Sequence, residues 1–281
     1  MQSLHPSFSK TFNQYKEFFW KHIKAQSVNC CRVDLVFDCY LEESLKSTTR
    51  NKRGLSATVL FKPTTVLPRD WNVFFLCNST NKTNLFRFLV QKDASFSCHI
   101  YQDVIATFSE EAVAVNLSDP TSNMSLALLT PCNHEEADTK VFLHCLHASS
   151  LGIENALIQT VDSDVLVLSI HYFNKLGLSS LWLRFGVGKH VKFITVHEIA
   201  NSLPPKYALG LPFFHAFTGC DTTSAFENYG KKSAWNCWLN SDDAISDVFG
   251  SLSLPSVIHD NHLKVLEKFV IQMYNKKVTV K

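Results

Sequence analysis

The sequence has neither a strong charge excess nor a long apolar run. It carries 27 Lys and Arg against 25 Asp and Glu, a formal net charge of +2 at pH 7. A field this weak does not draw nucleic acid to the whole surface, so such a contact needs a local basic patch. No stretch approaches the ~20 apolar residues of a membrane-spanning helix, and the first residues do not form a secretory signal. We therefore expect a globular intracellular protein, nuclear or cytoplasmic, without a membrane partner.

Several common motifs are also missing. The nine cysteines include no Cys-x-x-Cys pair, which argues for reduced thiols rather than a redox motif. His144 and His147 could share a helix face as zinc ligands, but no second Cys or His pair has ligand spacing. No Gly-x-Ser-x-Gly segment is present to form a hydrolase nucleophile elbow. Residues 186–189 are too short for a phosphate-binding loop and predict a hairpin turn instead.

The chain does contain an alternation of strand-like and helix-like segments. Its 281 residues, 46% of them hydrophobic, are enough for one sizeable α/β core, with or without an added lobe. The apolar patterns predict strands at residues 32–38, 98–107, 112–117, 156–161, 181–185 and 191–195. They predict helices at residues 10–24 and 84–90, from 134 to about Gly152, after Asp164, and at 196–203, 207–217 and 261–274. We expect an α/β fold with a mostly parallel central sheet flanked by helices.

Acidic residues stand at or just beyond the ends of these elements. Asp38 ends a predicted strand, and Asp162 and Asp164 follow another, at the edge where open α/β sheets bind ligands. Three further acids are Glu136 and Asp138, which open a helix, and Asp221, which follows one. Converging carboxylates repel one another unless a cation lies between them. Their hard oxygens select Mg²⁺ or Mn²⁺, and two such ions can cleave a phosphodiester bond.

Five of these acids also have a purely local explanation. Glu136 can be the third residue of a capping box that begins at Asn133, and Asp138 suits the first turn of a helix. Glu135 aligns better with Asp138 on a helix face than Glu136 does, which leaves the register open. Asp162 and Asp164 can form an Asx turn and N-cap, and Asp221 can be a turn residue.

The order of four motifs resembles the flap-endonuclease-type, PIN-like structure-specific nucleases, over residues 33–235. The motifs are Phe37-Asp38, Glu136-Ala137-Asp138, Asp162-Ser163-Asp164 and Thr218-Gly219-Cys220-Asp221. The resemblance implies a PIN-like domain at residues 1–235, with an arch-like basic segment and insertion at 41–130 and a helical extension at 236–281. It also implies Mg²⁺ or Mn²⁺, two ions if the site is complete, held by Asp38, Glu136, Asp138, Asp162, Asp164 and Asp221.

The resemblance further implies a nucleic-acid partner, DNA or RNA with DNA preferred, whose phosphodiester bonds are hydrolysed. The residues that would contact it are Lys46, Arg50, Lys52, Arg53, Gly230, Lys231 and Lys232. The family begins with a strand that ends in its first metal-binding Asp, whereas residues 1–31 of this chain contain no Asp. A catalytically silent relative that binds nucleic acid or a protein partner through the same scaffold is therefore the alternative.

Overall fold

A computed structural model describes residues 4–6, 8–40, 58–59, 62–91, 102–119, 121, 124–132, 134–221 and 223–275, the side chains of Val73 and Phe74 excepted. The chain divides into two compact units, Met1–His147 and Ala148–Lys281, and each is described by itself. The boundary predicted at residue 235 falls inside the second unit. Of the helices formed by these residues, none is both long and apolar enough to cross a membrane.

The first unit combines helices with one small sheet. Its elements are α1 Phe12–Gln26, β1 Arg32–Val36, a π-helical turn Trp71–Phe75, α2 Ser79–Val90, β2 Asp103–Phe108, β3 Glu111–Asn116 and most of α3 Ala137–Ser150. The side chains of Thr11 and Asn78 cap the first turns of α1 and α2. Strand β2 pairs with β1 in parallel and with β3 antiparallel.

An aromatic core holds β1 in place. Tyr15 of α1 lies 4.9 Å from Trp71, measured between ring centroids, and Trp71 stacks on Phe75 at 4.6 Å. Phe37, which follows β1, stacks on Phe86 of α2 at 4.2 Å. Because Phe37 is buried against α2, the position of the next residue, Asp38, is fixed by the core.

The second unit also combines helices with one small sheet, and a larger part of it is helical. Its elements are β4 Asn155–Thr160, α4 Ser163–Leu176, β5 Ser180–Phe185, β6 Lys192–Thr195, α5 Val196–Ser202, α6 Pro205–Phe217, α7 Lys231–Leu239, α8 Asp243–Leu252 and α9 Asp260–Tyr274. Helix α4 connects the parallel strands β4 and β5, and a hairpin connects β5 to the antiparallel strand β6. The N-cap of α4 is Asp162, and its C-cap is Gly177 in the left-handed conformation.

The C-terminal helices pack on α6. Phe214 of α6 stacks on Trp238 of α7 at 4.9 Å, and Trp238 contacts Phe249 of α8 at 4.9 Å. Phe269 of α9 completes this cluster, 5.2 Å from Phe249. A Cβ atom on Gly210 of α6 would lie 2.8 Å from that of Phe249, so glycine permits the close approach of α6 and α8.

The α/β class is confirmed, but the expected mostly parallel central sheet is not what the described strands form. They make two three-stranded mixed sheets, ordered β1-β2-β3 and β4-β5-β6. The reason is local, because β2 and β3, like β5 and β6, are joined by turns too short for a parallel crossover. The turn predicted at Ser109 and Glu110 is confirmed, with Ser109 at a φ of 50°.

The start of α3 also differs from its prediction. The helix begins at Ala137, so Glu136 precedes it and does not occupy the third position of a capping box. The N–H group of Ala137 donates instead to the Asp38 carboxylate, which is far away in sequence. Asn133, the predicted cap, lies outside the described residues.

Candidate functional site

In the first unit, the structure joins the Phe37-Asp38 and Glu136-Ala137-Asp138 motifs. Oδ1 of Asp38 accepts a hydrogen bond of 3.0 Å from the N–H group of Ala137, 99 residues later. The N–H group of Cys39 donates to the carbonyl oxygen of Glu135 at 2.7 Å. Asp38, Glu136 and Asp138 therefore belong to one local structure, which we call the first carboxylate set, and each is partly buried.

The first carboxylate set is located at the N-terminus of α3. The helix dipole and the free N–H groups of the first turn stabilise an anionic side chain there, and the Asp38 carboxylate takes this place. Oδ2 of the same carboxylate accepts from the Tyr40 hydroxyl at 3.2 Å. Lys140, one turn into α3, is buried and donates to the carbonyl oxygen of Ser109 at 2.9 Å. Burial raises the pKa of the nearby Cys39 thiol, so this cysteine is not an activated nucleophile.

In the second unit, the structure gives Asp162 and Asp164 different partners. Oδ1 of Asp162 accepts from the N–H group of Asp164 at 2.8 Å, and the N–H group of Asp162 donates to Thr160 Oγ1 at 3.0 Å. The local prediction of an Asx turn and N-cap is thus confirmed for Asp162. Asp164 Oδ1 lies 2.8 Å from Nε2 of His215, so its carboxylate forms a pair with a histidine of α6.

His215 connects the Asp162-Ser163-Asp164 motif with the segment that carries Asp221. It lies three residues before Thr218, where the Thr218-Gly219-Cys220-Asp221 motif begins. Gly219 has a φ of 99°, and a Cβ atom at this position would lie 2.6 Å from that of Ala225. The turn therefore requires glycine. Asp221 follows it as an exposed residue, and we call Asp162, Asp164 and Asp221 the second carboxylate set.

A lysine side chain lies beside this second carboxylate set. Nζ of Lys231 donates to the carbonyl oxygen of His215 at 2.6 Å and to Thr218 Oγ1 at 3.3 Å. Burial lowers the pKa of Lys231, while the charges of Cys220 and Asp164 act in the opposite direction. Lys231 thus ties the end of α6 to the start of α7, and its predicted contact with nucleic acid stays a prediction.

The remaining predicted nucleic-acid contacts divide into two groups. Gly230 and Lys232 are exposed beside Lys231, at the start of α7. The other four, Lys46, Arg50, Lys52 and Arg53, lie outside the described residues.

His215 is a candidate site residue that the sequence patterns missed. Residues 207–217 predict an apolar helix, and His215 is the only ionisable side chain between Leu209 and Phe217. An isolated histidine near the end of such a helix was the available signal. Its partner, Asp164, is 51 residues away, and no local pattern could identify it.

The chemistry of the two carboxylate sets suits a hard cation, although the described side chains do not form a complete binding group. Carboxylate oxygens are the ligands that Mg²⁺ and Mn²⁺ prefer. Among the described residues, no three His, Cys, Asp or Glu side chains come close enough together to hold a metal ion. Comparisons of the chain with protein-family models, curated proteins and solved structures give no match.

Proposed function

We propose that the chain is a nuclease-type domain of the flap-endonuclease, PIN-like kind, which hydrolyses phosphodiester bonds of nucleic acid with divalent cations. The observation that carries this proposal is the pairing of distant motifs in space. Asp38 bonds to Ala137 across 99 residues, and Asp164 pairs with His215, beside the Asp221 turn. Two local capping motifs would not need these long-range contacts. DNA is the preferred substrate class, in the nucleus or cytoplasm.

The residues that would hold Mg²⁺ or Mn²⁺ are the six acids of the two carboxylate sets. Such an ion, when bound, supplies an activated water and charge stabilisation for the leaving oxygen. The chain itself positions the carboxylates. Asp38 is fixed by the stacked Phe37 before it and by the Ala137 N–H group, and Asp162 is fixed as the N-cap of α4.

The second candidate is a scaffold that binds nucleic acid or a protein without cleaving it. Two observations favour it. The described residues form no group of three metal-ligating side chains. Asp164 is already paired with His215, so a cation would compete with the imidazole for this carboxylate. On this alternative, the carboxylate sets are structural remnants that now cap helices and join segments.

A cleavage assay separates the two candidates. Labelled flap, hairpin and single-stranded DNA, with RNA counterparts, are incubated with the protein and Mn²⁺ or Mg²⁺. We expect cleavage by the unchanged chain and none by Asp162→Asn, because asparagine preserves the N-cap but not the anionic ligand. Glu267→Gln, an exposed change in α9, is the matched control and should cleave normally.

Each outcome of the cleavage assay supports a different conclusion. Cleavage that Asp162→Asn leaves unchanged would show that the assigned site is wrong. No cleavage of any substrate, together with binding that weakens as salt is added, would favour the silent scaffold. DNA cleavage that exceeds RNA cleavage would support the preference for DNA.

A further inference from the structure

A buried histidine of the first unit joins three segments of the chain. His147 lies in the last part of α3 and is 2% exposed. Its Nδ1 atom is 2.9 Å from Nη2 of Arg32 in β1, and its Nε2 atom is 2.8 Å from the carbonyl oxygen of Ser125. Ser125 belongs to residues 124–132, which lie between β3 and α3 and which we call the connecting segment. The imidazole therefore holds both β1 and the connecting segment against α3.

The two partners of His147 determine its protonation state. A guanidinium group can only donate hydrogen bonds, so Nδ1 must accept the bond from Arg32 with its lone pair. A carbonyl oxygen can only accept, so Nε2 must carry the hydrogen that it donates to Ser125. His147 is thus a neutral imidazole with its hydrogen on Nε2. A second proton has no place on Nδ1 while Arg32 keeps its position.

The charges around His147 also disfavour the protonated form. Strand β1 brings Arg32 and Asp34 close to it, α3 brings His144, and the connecting segment presents the carbonyl group of Ser125. Burial has the largest effect and lowers the pKa of His147 below the ordinary 6.5. The charges of Arg32 and His144 lower this pKa further, while Ser125 and Asp34 oppose the change.

His144, one turn earlier in α3, has partners that tolerate a proton. Its Nδ1 atom lies 2.6 Å from Oδ1 of Asp34, and because a carboxylate accepts, this nitrogen carries a hydrogen. Its Nε2 atom lies 2.9 Å from Oγ1 of Thr107, and a hydroxyl group can either donate or accept. Both forms of His144 therefore keep both partners, whereas protonation of His147 removes one.

We propose that His147 is a pH-sensitive switch that releases the connecting segment in mildly acidic solution. Protonation places a hydrogen on Nδ1 against the guanidinium group of Arg32, so the imidazolium leaves its position and its bond to Ser125 is lost as well. Ser125 is itself exposed, so water replaces the imidazole at its carbonyl oxygen. The switch goes beyond the proposed function, because it uses none of the carboxylate residues and operates whether or not the chain cleaves nucleic acid.

Hydrogen exchange of the connecting segment tests the proposal. The amide of Leu129 is the reporter, because it donates to the carbonyl oxygen of Leu126 at 2.8 Å and its side chain is buried. Its protection factor, which removes the intrinsic effect of pH on exchange, is measured in the full chain between about pH 5 and 7.5. An opening that takes up one proton becomes about tenfold more populated per pH unit between 6.5 and the folded-state pKa. We expect protection to fall by up to about tenfold per pH unit below about pH 6.5.

The matched variant is His147→Gln. Glutamine accepts at its oxygen and donates at its nitrogen, as the neutral imidazole does, but it does not take up a proton. All other titratable groups remain, so the difference between the two pH profiles reports His147 alone. We expect the protection of Leu129 in this variant to stay level over the same range. The control His190→Gln removes an exposed histidine of the second unit and should keep the profile of the unchanged chain.

Two exchange results would overturn the proposal. One is a protection factor of Leu129 that does not change with pH in the unchanged chain, and the other is the same pH profile in the unchanged chain and in His147→Gln. Far-ultraviolet circular dichroism shows whether the variant is folded. If it is not, an NMR titration of His147 in the unchanged chain decides. A neutral imidazole with its hydrogen on Nε2 and a pKa below 6.5 would support the switch, and the other tautomer or a higher pKa would overturn it.

Discussion

A buried polar network around Asp34 of β1 allows a quantitative stability prediction. The Asp34 carboxylate accepts hydrogen bonds from Nε and Nη2 of Arg32, at 2.8 and 2.7 Å, and from Nδ1 of His144 at 2.6 Å. Nη2 of Arg32 also lies 2.9 Å from Nδ1 of His147, and His144 Nε2 lies 2.9 Å from Oγ1 of Thr107. The Arg32 side chain is 3% exposed and that of Asp34 22% exposed. This carboxylate therefore holds β1 and α3 together.

The perturbation is Asp34→Ala. It leaves a buried guanidinium without its anion, and Nη1 of Arg32 already has no hydrogen-bond partner among the described residues. Removing one member of a buried ion pair costs about 3–5 kcal/mol, because the other charge stays desolvated. For a unit of this size, the melting temperature should fall by about 6–20 °C. Asp34→Asn retains the shape and one acceptor, so we expect a smaller loss of about 1.5–3 kcal/mol.

The same carboxylate should make stability depend on pH. Burial raises the pKa of Asp34, but the hydrogen bonds from His144 and Arg32 together outweigh it and hold the pKa below the ordinary 3.8. A folded-state pKa below the unfolded one gives stability that is present above about pH 4 and is lost as the pH falls through the folded value. The difference in unfolding free energy between the unchanged chain and Asp34→Asn should shrink over that acidic range.

Urea titration followed by far-ultraviolet circular dichroism gives the free energies. Hydrogen exchange should localise the loss to β1 and α3. Glu110→Ala, a change at the exposed β2–β3 turn, is the control and should change stability little. An Asp34→Ala protein as stable as the unchanged chain would refute the reasoning. The reasoning would also fail if the difference in unfolding free energy between the unchanged chain and Asp34→Asn stayed constant at acidic pH.

Three further predictions concern the second unit. Gly219→Ala should lower stability by about 2–4 kcal/mol in urea titration, since its φ is positive and its Cβ would meet Ala225. Gly152 also has a positive φ, but an added Cβ atom would meet no other atom, so Gly152→Ala should lower the unfolding free energy by only about 1 kcal/mol. Equal losses for the two glycine substitutions would contradict the steric argument. Phe249→Ala should lower the unfolding free energy by about 3–5 kcal/mol in the same titration, because the ring is fully buried. The control Ile271→Ala, at an exposed side chain, should change stability little. Similar losses in the two variants would refute the assigned core. Burial lowers the pKa of His171. The second unit should therefore lose stability as the pH falls below about 6.5, where the unfolded chain begins to bind a proton at this histidine. An NMR titration that places the pKa of His171 above 6.5 would contradict this prediction.

Local patterns predicted the elements of this fold well. The apolar run before Asp162 predicted a strand at residues 156–161, and the structure has Asn155–Thr160. The helical spacing near the C-terminus predicted residues 261–274, and α9 is Asp260–Tyr274. These elements were predictable because periodicity and caps act over a few neighbouring residues.

Long-range partners could not be predicted in this way. The pattern after Asn133 suggested a capping box, whereas α3 takes its acceptor from Asp38 in another segment. The pairing of Asp164 with His215 depends on how α4 and α6 pack. The sheets were misjudged because strand order depends on pairing between segments, which apolar periodicity does not specify.

The order of the motifs predicted that the six acids share one function, but it did not specify the contacts that each carboxylate makes. Sequence order alone could not show that Asp38 contacts the Glu136-Ala137-Asp138 segment or that Asp164 is engaged by an imidazole. Trp182 and Phe193 look like core residues of a hairpin until the register puts them on the exposed side.

Mn²⁺-dependent cleavage of a labelled DNA flap by one variant from each carboxylate set tests the proposed function most directly. Asp38→Asn changes the first set and Asp162→Asn the second, and asparagine can retain the hydrogen bond that each carboxylate accepts. We predict that the unchanged chain cleaves the flap and that both variants fail to do so while remaining folded. Cleavage that survives either substitution at the unchanged rate would contradict the role proposed for the carboxylate set that carries it.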